Sequence, residues 1–152
     1  MEDVNPVSPK LTYARYLGRL PWQVLAVIAF LILALWASPW FWIALGLEGV
    51  LLVWQVWLIP AQVRLLGWAE TEEELLITKG RLWHRFTVVP YGRIQYIDVT
   101  AGPLERALGM KTVVLHTASA TSDSTVQGLP AEEADALRER LAVKARERMS
   151  GL

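Results

Sequence analysis

The chain has 152 residues, and its 15 Lys and Arg residues balance its 15 Asp and Glu residues. This length suffices for one small domain with a membrane anchor and is too short for two soluble domains. The balanced charge argues against nucleic acid as a partner, and the lack of cysteine excludes disulfides, thiolate metal sites and cysteine nucleophiles.

Residues 20–59 are almost entirely apolar, and the apolar run is interrupted once, by Ser38 and Pro39. As helices, residues 20–37 and 40–59 would rise roughly 27 Å and roughly 30 Å, which matches a hydrocarbon core of about 30 Å. Pro39 predicts a turn, because proline lacks an N–H and disfavours helix in the preceding residue. The pattern predicts a transmembrane helical hairpin over residues 20–59. The alternative, a buried hairpin of a soluble protein, would leave too little chain to cover it.

Charges that flank the two spans predict their orientation. Lys10, Arg15 and Arg19 precede the first span, Arg64 follows the second, and the connecting turn is uncharged. By the positive-inside rule, both termini lie in the cytoplasm of a multi-pass protein of the cell membrane. Residues 1–19 are then a cytoplasmic leader, which either forms an amphipathic helix at the interface or is disordered.

Glu48 is the only ionisable residue within the two spans, and Gly46 and Gly49 flank it. A carboxylate at this depth is costly, so we expect it to be protonated, paired or turned toward another helix. Glycines let a second backbone approach closely. These three residues predict a helix–helix contact. The alternatives are a functional Glu48 in an oligomeric transport or lipid-handling complex, or a position of Glu48 closer to the membrane surface.

From residue 60 to residue 152, the sequence pattern differs from that of the two spans. It consists of short apolar stretches between turn residues, which is typical of antiparallel strands. A helix is predicted over residues 130–148, since Pro130 suits a first helical position and apolar residues recur at helical spacing. The predicted strands cover residues 62–69, 75–78, 82–89, 94–100, 111–117 and 124–127. The order predicts a membrane-anchored α+β protein, in which a C-terminal helix caps a PH-like antiparallel barrel or sandwich.

Four stretches of this domain resemble the bacterial PH-like membrane proteins of the YdbS type. They read RIQYI at 93–97, GPLERALG at 102–109, VVLHT at 113–117 and GLP at 128–130. The resemblance extends over residues 9–141. It implies two transmembrane helices joined to a PH-like domain, no established catalysis, and a tendency to act beside related PH-like proteins. It transfers no catalytic residues.

Basic residues in the predicted turns suggest which side of the domain faces lipid. In an up-and-down meander, alternate turns lie near the membrane, and these turns hold Lys79, Arg81, Arg106 and Lys111. Each basic residue near an anionic surface contributes about 1 kcal/mol of attraction. We therefore expect these four residues to contact lipid or a partner; ordinary solvated turn charges are the alternative.

No nucleophile–base pair, metal-ligand cluster or cofactor motif is evident in the sequence. We therefore expect a protein that is not an enzyme and that has no cofactor or metal. Its expected role is protein assembly or lipid-headgroup contact through the PH-like domain. The expected partners are the lipid bilayer and either a second copy of the chain or a related PH-like membrane protein.

Overall fold

The computed structural model describes residues 4–80, 85–118 and 124–151. Two long helices, α1 (Lys10–Trp36) and α2 (Phe41–Val63), are joined by a turn at residues 37–40. They pack against each other, and the hydroxyl of Tyr16 donates a 2.6 Å hydrogen bond to the carbonyl of Val56. The 27 residues of α1 span about 40 Å, roughly 10 Å more than a hydrocarbon core.

The remaining chain forms two antiparallel sheets and a C-terminal helix, as the sequence predicts. Neither sheet closes on itself in the part of the chain that the structure describes. A 3₁₀ turn at Tyr91–Arg93 links the sheets, short helix α3 (Pro103–Ala107) follows the fifth strand, and α4 (Ala131–Met149) ends the fold. The first sheet has the order β1 (Asn5–Pro6), β2 (Gly67–Glu70), β3 (Glu74–Lys79) and β4 (Arg85–Pro90); the second has the order β5 (Ile94–Thr100), β6 (Met110–Thr117) and β7 (Ser124–Pro130).

The first predicted strand, residues 62–69, is wrong in its position. Helix α2 continues to Val63, and β2 begins only at Gly67. Ile59 and Val63 are both buried and lie one helical turn apart, so the packing of a helical face outweighs the strand-like composition of this segment.

Strict alternation along β5 would place Ile94 on the same face as Tyr96 and Asp98. Instead, Ile94 is buried while Tyr96 and Asp98 are exposed. The cause is an irregularity in the pairing of β5 with β6 between Ile94 and Tyr96. Such an extra residue reverses the faces on its two sides.

One hydrophobic core unites both sheets, α4 and the base of the helical pair. From the N-terminal part of the chain, it includes Val7, Leu11 and Ala14, together with Val63 from the end of α2. Residues 4–19 are therefore more than the predicted leader, because three of their apolar side chains, Val7, Leu11 and Ala14, lie inside the domain. From the sheets and α4, the core includes Leu75, Ile77, Val89, Ile94, Val113, Leu115, Leu129, Leu137 and Leu141.

The N-terminal segment bridges the two sheets. Asn5 and Pro6 of β1 pair with β2, while the N–H of Ser8 donates a 2.9 Å hydrogen bond to the carbonyl of Gly128 in β7. Leu11 then lies directly on Gly128, where a Cβ would come within 2.8 Å of Leu11 Cδ2. The start of α1 is thus held between β2 and β7.

Candidate functional site

The two long helices present a broad apolar surface. In the most apolar stretch of each helix, only 6% of the residues are buried, whereas a core helix of a soluble protein is mostly buried. Bulky side chains are exposed along both helices, including Trp22 (74%), Trp36 (89%) and Trp40 (76%). The described part of the chain therefore leaves this surface available to lipid.

Glu48 and its neighbouring glycines lie on different faces of α2. Glu48 is half-buried in a stripe of α2 that also includes Leu52, Gln55 and Ile59, and this helical spacing indicates that the stripe faces α1. Gly46 and Gly49 are exposed, and a Cβ at either position would meet no atom within 4 Å. Glu48 thus lies on the face of α2 that is turned toward α1, whereas the two glycines lie on the face that is turned away from it.

Lys79 and Lys111, two of the four basic residues predicted to face lipid, have partners within the domain. Lys79 Nζ donates a 2.7 Å hydrogen bond to Thr125 Oγ1; burial, with a smaller contribution from Arg85, lowers the pKa of Lys79. Lys111 Nζ lies 2.7 Å from Asp135 Oδ2 on α4.

Arg106 and Arg81 complete this predicted set. Arg106 is exposed on α3, and its side chain has no ion pair or hydrogen bond with the described residues. Arg81 lies outside the described residues. Of the three predicted basic residues that the structure describes, only Lys111 pairs with a carboxylate, and Arg106 is the one whose side chain has no partner in the described part of the chain.

Helix α3 lies against α1 at the base of the helical pair. Leu104 Cδ1 is 3.7 Å from the position that a Cβ on Gly18 would occupy. Arg15 and Arg19 belong to the same part of α1 and lie one turn apart, so their side chains are neighbours. We call Arg15, Arg19 and Arg106 the arginine corner.

At the other end of the domain, an ion-pair network attaches α4 to the first sheet. Glu70 accepts hydrogen bonds from Arg140 Nη2 at 2.7 Å and from Lys144 Nζ at 3.3 Å. Lys144 Nζ also approaches the hydroxyl of Tyr91 at 3.4 Å, and that hydroxyl donates a 2.9 Å hydrogen bond to the carbonyl of Thr71. These contacts fix the last turns of α4.

The network changes the proton affinities of its members. Burial raises the pKa of Tyr91, although the hydrogen bond from Lys144 opposes this change. For Lys144, burial acts to lower the pKa, but the contacts with Tyr91 and Glu70 outweigh it and the net change is a rise. The hydrogen bond to Glu70 raises the pKa of Arg140. The cationic partners of Glu70 thus stay charged throughout the physiological range.

Comparison with known proteins identifies the family to which the chain belongs. A family model described as bacterial PH domain matches residues 13–145, which is most of the chain. The chain belongs to the bacterial PH domain family. It is 34% identical over 131 residues to the UPF0699 transmembrane protein YdbS of Bacillus subtilis (strain 168), a match that covers 81% of this chain and 79% of the relative. No solved structure matches the chain.

The matched region begins within α1, so this bacterial PH domain protein includes the helical pair in the unit that the family model describes. The resemblance predicted from four short stretches is confirmed. Together, the family, the transmembrane relative and the two apolar helices identify the chain as a membrane protein with a bacterial PH-like domain.

Within this bacterial PH domain protein, sequence reasoning missed two groupings of charged residues. It took Arg15 and Arg19 as markers of orientation and as polar residues of an amphipathic segment, and it did not group them with Arg106 on α3. It did not connect Glu70 with Arg140 and Lys144, which lie about seventy residues further along the chain. A strand prediction gives no distance between such elements, so no local signal could have found this second grouping.

Proposed function

We propose that this protein is a non-enzymatic module that helices α1 and α2 anchor as a transmembrane hairpin, with both termini in the cytoplasm. Its PH-like part, a sandwich of the two sheets capped by α4, contacts lipid headgroups and mediates assembly with a second copy or a related PH-like membrane protein. The observation that carries this proposal is that an uncovered apolar helical pair is built at its base into the core of the domain.

The shared core supports a fixed position of the domain at the membrane. Leu11 and Ala14 of α1 and Val63 of α2 are each less than 10% exposed within that core. Because both helices enter the domain without a linker, the sheets stay directly below the hydrocarbon core. Surfaces beside the helix bases are then the ones that meet headgroups.

The open face of α2 supports assembly through the helices. Gly46 and Gly49 leave a shallow surface at which the helix of a second chain can approach closely. Within the membrane, such packing is a main source of helix association, because lipid tails are as apolar as the helices themselves. Glu48, on the face of α2 turned toward α1, would contribute to packing within the hairpin and not to contact with a second chain.

The assembly is tested by measuring the size of the full-length complex in mild detergent and by cross-linking in native membranes. We expect the double variant Gly46→Leu/Gly49→Leu to lose the larger species while the monomer keeps its thermal stability, since neither glycine contacts α1. The control Ala29→Leu adds similar bulk on an exposed part of α1 and should keep the complex. An unchanged complex in the double variant, or equal loss in the control, would contradict assembly through this face.

The anchor itself is tested by extraction. Alkaline carbonate should leave the full-length chain in the membrane pellet, and detergent should release it. Release of the chain by carbonate alone would contradict the transmembrane hairpin.

A further inference from the structure

We propose that the arginine corner binds the phosphate of one anionic phospholipid headgroup. This inference rests on the proposed function, which places the base of the helices at the membrane surface, and it deepens that function by assigning a site and a lipid class. Anionic phosphate is the ligand that several guanidinium groups in one place recognise best.

The corner holds positive charge that the protein does not neutralise. Arg15 donates from Nη2 to the neutral Gln127 Oε1 at 3.3 Å, and neither Arg19 nor Arg106 has an ion pair with any described residue. Four other basic residues of the domain do pair with carboxylates: Lys111 with Asp135, Arg140 and Lys144 with Glu70, and Arg148 with Glu73.

The carboxylate nearest to Arg106 in the chain is already engaged elsewhere. Glu105 Oε2 accepts a 3.0 Å hydrogen bond from the N–H of Gly102, and Glu105 Oε1 accepts a 2.9 Å hydrogen bond from Thr112 Oγ1. Glu105 therefore holds α3 onto the start of β6 and leaves its neighbour Arg106 without a counterion. An external anion can supply the missing charge.

The depth of the corner matches the headgroup layer. Measured along α1 from its end at Trp36, Arg19 and Arg15 lie about 26 Å and about 32 Å away at 1.5 Å per residue. A hydrocarbon core about 30 Å thick then places both side chains at the cytoplasmic boundary. Arg106 belongs to α3, two residues after Leu104, which contacts α1 at Gly18.

Apolar side chains beside the corner favour a lipid over a free phosphate. Leu17 on α1 is 56% exposed and Leu104 on α3 is 38% exposed. Leu17 lies at the same height along α1 as Arg15 and Arg19, and Leu104 packs beside Gly18 in the same stretch of α1. Acyl chains that surround the helix base at this level can therefore contact both leucines. A soluble anion would gain nothing from these two leucines.

Native mass spectrometry of the full-length protein in detergent tests the site. We expect one bound phosphatidylglycerol per chain, retained at least tenfold better than phosphatidylcholine. The variant Arg15→Gln/Arg19→Gln/Arg106→Gln should bind phosphatidylglycerol roughly 100-fold more weakly, because each basic residue near an anionic surface contributes about a factor of five. A matched variant that removes the same charge elsewhere, Arg93→Gln/Arg138→Gln/Arg146→Gln, should change binding less than twofold.

Three results would overturn the inference: equal retention of both lipids, equal loss in the matched variant, or full displacement of the lipid by glycerol phosphate or inorganic phosphate at equal concentration. The last result would identify a site for soluble anions. If the triple variant does not fold, Arg106→Gln alone serves, with partial recovery in Arg106→Lys. Carbonate resistance and complex size are measured on the same samples, so loss of lipid binding is distinguished from failure of the anchor or of assembly.

Discussion

Replacing Gly128 with alanine tests whether the start of α1 is packed on β7. Gly128 has a φ of 70°, a conformation that costs an L-residue about 1–2 kcal/mol. The new Cβ would also lie 2.8 Å from Leu11 Cδ2, 3.0 Å from Leu11 Cβ and 3.2 Å from Leu11 Cγ. Since Leu11 Cβ is attached to the backbone of α1, rotating the side chain cannot relieve the contact, and the helix must move.

Gly109 provides a matched control. It has the same φ of 70°, but a Cβ there would meet no atom within 4 Å. Both alanine variants therefore share the backbone strain, and their difference isolates the contact with Leu11. Overpacking of a core costs about 1–3 kcal/mol, so we expect Gly128→Ala to be about 2 kcal/mol less stable than Gly109→Ala.

Thermal unfolding followed by the fluorescence of the 8 tryptophans measures this difference in detergent. For a chain of this size, 2 kcal/mol corresponds to a Tm difference of roughly 4–8 °C. In a Leu11→Ala background, the difference should shrink without vanishing, because Cδ2 and Cγ of Leu11 are removed whereas Cβ, at 3.0 Å, remains. Equal Tm values for Gly128→Ala and Gly109→Ala in the otherwise natural chain would refute the packing of α1 on β7.

Three further perturbations test other parts of the structure. Because the pKa values of Tyr91 and Lys144 are raised, the folded state holds these protons more tightly than the unfolded state, and stability should fall as pH rises above about 10. Tyr91→Phe should make that decline in Tm shallower. An identical decline would contradict the contribution of the Tyr91 proton to stability. Glu70→Gln should lower the free energy of unfolding by about 1–2 kcal/mol, because it removes the charged partner of Lys144. Asp135→Asn, which breaks a more exposed ion pair, should lower it by less than about 0.5 kcal/mol. Equal losses in thermal unfolding would count against a stabilising role of the Glu70 network. Residues 60–152 expressed alone should bind a hydrophobic dye and be rapidly proteolysed, because the core then lacks the side chains contributed by α1, and a compact, protease-resistant fragment would show that α1 is dispensable.

Local patterns in the sequence predicted most of the secondary structure. β5, at Ile94–Thr100, coincides with its predicted strand, and α4 begins and ends within one residue of the predicted helix. Both have strong periodicity and clear turn residues at their ends. The predicted boundary between α2 and β2 is wrong, because the same apolar residues suit a helix or a strand. Only the burial of Ile59 and Val63 on one helical face decides between the two.

The sequence by itself determined the lengths of the two apolar helices, the turn between them and the family, because composition, spacing and short motifs are properties of neighbouring residues. Only the tertiary structure decided that Leu11 and Ala14 belong to the core of the domain, that Glu48 lies on the partly covered side of α2, and that α3 packs on the base of α1 at Gly18. Each of these facts is a contact between segments far apart in the chain. Such contacts are set by how whole faces pack together, and no local periodicity specifies which faces meet.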